Sequence, residues 1–223
     1  MSRLDVIDAP INQRWFDVPG TNERARGESG SAALVGPDGQ VIATVSNGGI
    51  AGPVETTLVE GTFIARIGSK RLVRPDRYGV LRPAVNLSNR GLFATTAAGE
   101  WWLDRDNYAR VRAFAQHKGV GLPVAVRLLC CVPLEWSDLD MIVEATLKQP
   151  LRVYRGLANA AHVKAGKFTE SLPPIPDHRG QQVEQLFIPG LCSPDVVHDT
   201  LMITRQQFLA PELGRRGYVI RPL

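Results

Sequence analysis

Cysteine is scarce in this 223-residue chain, and the scarcity removes several function classes. Cys130, Cys131 and Cys192 are odd in number, and adjacent cysteines rarely form a structural bridge, so no disulfide framework is expected. Cys130 and Cys131 lie in an apolar run and read as small buried hydrophobes. There is no CxxC pair and no HExxH, and His117, His162, His178 and His198 stand far apart, so no metal centre is predicted. Long hydrophobic runs are missing too: nothing approaches the ~18 apolar residues that a spanning helix requires, and no membrane partner is expected. The first 17 residues carry Arg3, Asp5 and Asp8 without an apolar core, which predicts no signal peptide and a cytoplasmic location. Delivery by a secretion system is compatible with that. GxxxxGK[ST], GxGxxG after a strand and GxSxG are absent, which argues against P-loop, Rossmann and serine-hydrolase chemistry.

What is present describes an ordered protein. Hydrophobic residues make up 44% and charged residues 22%, close to a globular average rather than a disordered one. The length suits one large domain, or one domain with a small appendage. Glycine (21) and proline (16) are frequent enough to favour many short elements joined by turns, hence a β-rich fold. The net charge is small, 26 − 22 = +4. Basic residues are denser from Arg66 through Lys70, Arg71, Arg74 and Arg77 to Arg82, a stretch that suits either phosphate binding or a solvated loop.

Local patterning predicts the elements. Ala33–Val35 and Gln40–Val45 flank Gly36-Pro-Asp-Gly39 as a hairpin, and residues 20–31 read as exposed loop. Loop 46–53 marks a boundary between an N-terminal appendage, 1–53, and a main domain, 54–223. Strands are expected at Thr62–Ile67, Gly91–Thr96, Leu122–Val132, Leu151–Arg155, Val183–Ile188, Thr200–Thr204 and Tyr218–Arg221. Apolar residues at 101, 102, 108, 111, 114 and 115 predict a helix over Trp101–His117, stopped by Gly119. A second helix is expected over Glu135–Leu147, opened by Ser137 or Asp138, and a loop over 165–181.

Three fragments hold residues suited to chemistry. In Phe63-Ile-Ala-Arg66-Ile-Gly68-Ser69 an arginine ends an apolar strand, where a rigidly held guanidinium can clamp a diphosphate; an arginine facing water at a strand edge is the plainer alternative. In Gly91–Thr96 the hydroxyls of Thr95 and Thr96 can hold that clamp or a ribose, and Trp101 with Trp102 can stack on a nicotinamide or adenine ring. Ordinary hairpin threonines and a core tryptophan pair fit the same pattern. In Gly180–Pro189, strand alternation directs Gln182 and Glu184 to one face. There the carboxylate can stabilise an oxocarbenium-like transition state while the amide orients an acceptor. Gln185, on the other face with Val183 and Phe187, is the competing candidate.

In their order these fragments resemble the ADP-ribosyltransferase superfamily, whose members bind NAD in a split β fold through an Arg, then a Ser/Thr strand, then a Gln/Glu-x-Glu or lone Gln strand. Residues 151–189 also look like the end of the necrotizing-toxin-type NAD glycohydrolases. The resemblance spans about residues 58–190 and departs from the family in places. The middle motif is Ala-Thr-Thr, the loop before the last motif is only Asp177-His-Arg-Gly180, and Val153-Tyr-Arg155-Gly156 competes for the first arginine. Arg155 lies too close before Glu184 for the family's usual layout, which ranks Arg66 above it.

The resemblance implies an α+β, β-rich split-sheet core with a few helices. It also implies cleavage of the nicotinamide–ribose bond of NAD, with ADP-ribose passed to water or to a protein or nucleic-acid acceptor. Arg66, Thr95, Thr96 and Trp101 would bind NAD, Glu184 with Gln182 or Gln185 would act at the ribose, and no metal would be needed. Such toxin- or effector-like activity implies an inhibitory partner protein. The alternative, from the short strands and loops, is a non-enzymatic subunit of a phage particle or secretion machinery.

Overall fold

The computed structural model describes residues 9–28, 32–35, 41–45, 48–68, 73–75, 81–83, 99–133, 137, 139–165, 168–191 and 193–209. In chain order the elements are α1 (Gln13–Phe16), α2 (Thr21–Ala25), β1 (Ala32–Val35), β2 (Val41–Val45), β3 (Ile50–Leu58), β4 (Phe63–Gly68), β5 (Val73–Pro75), β6 (Leu81–Pro83) and β7 (Trp101–Asp104). Then follow α3 (Arg105–Lys118), α4 (Leu122–Leu129), β8 (Met141–Leu147), β9 (Leu151–Ala158), β10 (Ala161–Ala165), β11 (Phe168–Leu172), β12 (Glu184–Phe187), α5 (Pro194–Thr200) and β13 (Leu201–Phe208).

The architecture is mixed α+β and dominated by a seven-stranded antiparallel sheet in the order β13-β8-β4-β7-β12-β9-β3. Two three-stranded halves meet at β7, which pairs with β4 through Ile64↔Asp104 and Ala65↔Leu103, and with β12 through Leu186↔Trp102 and Phe187↔Trp101. Alternation sends Ile64, Trp102, Val143, Ala145, Val153 and Leu186 to one face, where Leu191, Val196 and Val197 cover them. Ala65, Leu103 and Ile142 point to the other face, under α3 and α4. On that second face Phe16 and Ala25, from the short N-terminal helices, pack on Ile50, Tyr154 and Phe187. Strand β3 extends through position 53, with a bulge in its pairing to β9 between Ala51 and Val54. No helix among the described residues is long and apolar enough to cross a membrane.

The hairpin β1–β2 and strands β4, β9, β12 and β13 follow the sequence pattern. Five segments differ. The expected helix from Trp101 starts only at Arg105, because Trp102 and Leu103 alternate across the sheet and Asp104 caps the helix, accepting from the Asn107 amide at 2.8 Å. Gly119 ends it, as expected, in the left-handed region at φ 65°. Leu122–Val132 is not a strand but carries helix α4; its Pro123 sits in the first turn, where a missing N–H costs nothing. Met141–Leu147 is not helical but is strand β8: Met141, Val143, Ala145 and Leu147 are buried on one face, while Glu144 and Thr146, on the other, are half-buried. Within 165–181, Phe168–Leu172 pairs with Ala161–Ala165 as a hairpin instead of remaining a loop. Thr21–Ala25, expected as loop, is a short helix. The strands expected at Gly91–Thr96 and Tyr218–Arg221 lie outside the described residues.

Candidate functional site

Antiparallel pairing brings together two residues that are distant in function-bearing fragments. Arg155 of β9 lies opposite Leu186 of β12, so it shares a face with Glu184, two residues earlier on β12. Its Nη1 is 3.1 Å from the Glu184 Oε2 and 2.7 Å from the Asp104 Oδ2. The Glu184 side chain is 40% exposed and that of Arg155 33%, against 15% for Asp104, so the pair opens to solvent while Asp104 backs it. Val54 and Leu157 are exposed apolar neighbours on the same part of the sheet, opposite Arg155 and Glu184 respectively.

Behind the pair runs a line of polar side chains. Asn107, itself buried, donates its Nδ2–H to Asp104 Oδ1 at 2.9 Å. Its Oδ1 accepts from the Glu184 backbone N–H at 2.9 Å and from Arg110 Nη1 at 3.3 Å. Arg110 also donates from Nε to Asp177 Oδ2 and from Nη2 to the Gln182 carbonyl, both at 2.8 Å. Removal from water would raise the Asp177 pKa, but hydrogen bonds from Arg110 and the backbone amides of Gln181 and Arg179 outweigh it and hold the carboxyl at about 2. The result is a connected series, Asp177–Arg110–Asn107–Asp104–Arg155–Glu184, with its open end at Arg155 and Glu184.

The sequence-derived candidates are distributed unevenly around this site. Glu184 opens β12 and faces Arg155. Gln182 precedes the strand, so strand alternation does not reach it, and its carbonyl is the acceptor for Arg110. Gln185 is buried on the opposite face, donating to the Cys130 carbonyl at 3.2 Å. Trp101 is on that same opposite face, 4.9 Å from the Phe187 ring. Arg66 lies on β4, separated from β12 by β7 and by the buried Trp102. Its guanidinium packs on the backbone of Gly68 and Gly99, where a methyl group on Gly99 would collide with it. Desolvation there lowers its pKa to about 10, leaving it a cation at neutral pH. The guanidinium in contact with Glu184 is that of Arg155, while Arg66 lies two strands away in the sheet order. Thr95 and Thr96 lie outside the described residues.

The fold adds Asp104, Asn107, Arg110 and Asp177 to the neighbourhood. Of these only Asp177 belongs to a segment singled out by sequence, the short Asp177–Gly180 loop; Asp104 falls inside the helix expected from Trp101 and is instead its N-cap. A cleft of about 360 Å³ lies elsewhere, lined by Arg26, Glu28, Ile50, Ala51, Gly52, Pro53 and Asn159. Among the described residues no group of three His, Cys, Asp or Glu side chains is placed to hold a metal. Compared with known protein families and with curated protein sequences, the chain matches none.

Proposed function

We propose that this chain is an NAD-consuming enzyme that cleaves the nicotinamide–ribose bond on an ADP-ribosyltransferase-like core, and that Arg155 rather than Arg66 serves Glu184. The observation that carries the reading is the solvent-open Arg155–Glu184 contact at 3.1 Å between adjacent strands. A guanidinium next to a carboxylate suits a substrate carrying both a diphosphate and a ribose: the cation binds the phosphates, and the carboxylate stabilises positive charge developing at the ribose C1. When the bond breaks, its electron pair leaves with nicotinamide, and water or a macromolecular nucleophile adds to C1. The order of the sequence fragments, and a sheet divided at the short strand β7, support the same reading.

The test is nicotinamide release from NAD by the purified chain beside Glu184→Gln and Arg155→Ala. The wild type is expected to release it. Glu184→Gln should lower kcat by about 100-fold or more, as loss of a charge-stabilising group does, and Arg155→Ala should act chiefly on KM. No release, with cell extract supplying acceptors, sinks the reading.

A second reading, a non-enzymatic assembly subunit, is favoured by one feature. Strand β3 ends the sheet, pairs only with β9 among the described residues, and exposes 64% of Val54. An open edge of this kind accepts a strand from another protein. Chains that release no nicotinamide but enter a larger complex through β3 would establish it.

A further inference from the structure

We propose that Asn107 is the positioning residue for Glu184, setting the start of β12 from the first turn of α3; this rests on the reading of Glu184 as the reacting carboxylate. Capping of α3 needs only the Asn107 backbone N–H, which donates to Asp104 Oδ1 at 2.8 Å. The side chain goes further. Through Nδ2 it donates to the same Asp104 oxygen at 2.9 Å, and through Oδ1 it holds the Glu184 amide at 2.9 Å.

Arg110, fixed in turn by the buried Asp177, donates to that same Oδ1 and keeps the amide plane from turning. A side-chain amide is the uncharged group of this length that donates and accepts at once; an ionised carboxylate cannot donate, and an alkyl group can do neither. Asp104 holds Arg155 separately, through Oδ2 at 2.7 Å. Losing the Asn107 side chain therefore frees Glu184 while leaving the Asp104–Arg155 contact in place.

The experiment measures nicotinamide release from NAD by the full chain, by Asn107→Ala and by Asn107→Asp, with amide hydrogen exchange at Glu184 followed in each. Asn107→Ala is expected to lower kcat by roughly 10- to 100-fold while KM for NAD changes less than about threefold, the pattern of a displaced reacting group. The Glu184 amide should exchange at least about tenfold faster, because its acceptor is gone.

Asn107→Asp keeps the shape and the accepting oxygen but sets two carboxylates against each other, which ionise together only with difficulty. Its activity should recover toward acidic pH, whereas Asn107→Ala stays low throughout. A wild-type kcat in Asn107→Ala, or unchanged exchange at Glu184, overturns the assignment. If Asn107→Ala does not fold, the isosteric variant decides alone: a pH profile parallel to that of the wild type overturns the proposal. No release by the wild type overturns the enzyme reading itself, a result distinct from release that ignores Asn107.

Discussion

Asp177 shows how one residue links stability to pH in this protein. Its buried carboxyl is held at about 2 against the desolvation that would raise it, by Arg110 and two backbone amides. The folded value is depressed below the unfolded one of about 3.9, so the contribution is complete above pH ~4 and disappears as pH falls toward ~2. In urea titrations the wild type should lose stability across that window, and Asp177→Asn, less stable at pH 6, should lose less of it. An equal slope in both would show that other carboxylates dominate acid unfolding. The cysteines make the opposite case. Burial pushes the Cys130 thiol up to about 12, helped by neighbouring Cys131, and the Cys131 thiol up to about 11. Nucleophilic attack needs the thiolate, so in a Cys192→Ser background a thiol reagent should react slowly with the native protein and rapidly after unfolding.

Helix α3 is the element that joins scaffold and site. Its cap, Asp104, belongs to the last residue of β7, its second turn supplies Arg110, and Asn107 lies between them. Capping and charge pairing can be separated there. Asp104→Ala should cost about 1–2 kcal/mol in denaturant unfolding, as loss of an N-cap does, whereas Asp104→Asn should cost a few tenths because asparagine caps nearly as well. Equal costs for both would show that the contact with Arg155, rather than the cap, is what stabilises this corner. Strand β8 and helix α4 illustrate why such elements mislead. Each is a run of only seven or eight residues, mostly apolar and mostly buried, and over so short a stretch periodicity does not separate a strand from a helix.

Across the whole molecule the N-terminal segment is tied to the far end of the chain. Asn12, fully buried, donates to the Arg152 carbonyl at 2.7 Å and the Pro189 carbonyl at 3.1 Å, and accepts from the Arg152 N–H at 3.0 Å. It thus pins β9 and the exit of β12 at once. Asn12→Ala leaves three backbone groups without that partner and should destabilise the fold by about 2–4 kcal/mol, given ~1–3 kcal/mol for a buried polar group left unsatisfied. A change under about 0.5 kcal/mol in thermal or urea unfolding would mean that water replaces it without loss.

The sequence by itself determined the β-rich α+β class, the β1–β2 hairpin and the strands whose alternation or turn residues show locally. It also offered Glu184 as a candidate, an acidic residue at the mouth of an apolar strand. Tertiary structure decided which arginine meets that carboxylate. Sequence separation ranked Arg155 below Arg66, yet the β10–β11 hairpin lies between β9 and β12 in the chain, and antiparallel return places Arg155 directly across from Leu186. Arg66 went instead into the packing beneath Gly99, and Gln185 into the core against the Cys130 carbonyl. Strand pairing and burial are set by contacts between residues far apart in the chain, so neither motif order nor local period could reveal the Asp177–Arg110–Asn107–Asp104 support behind Glu184.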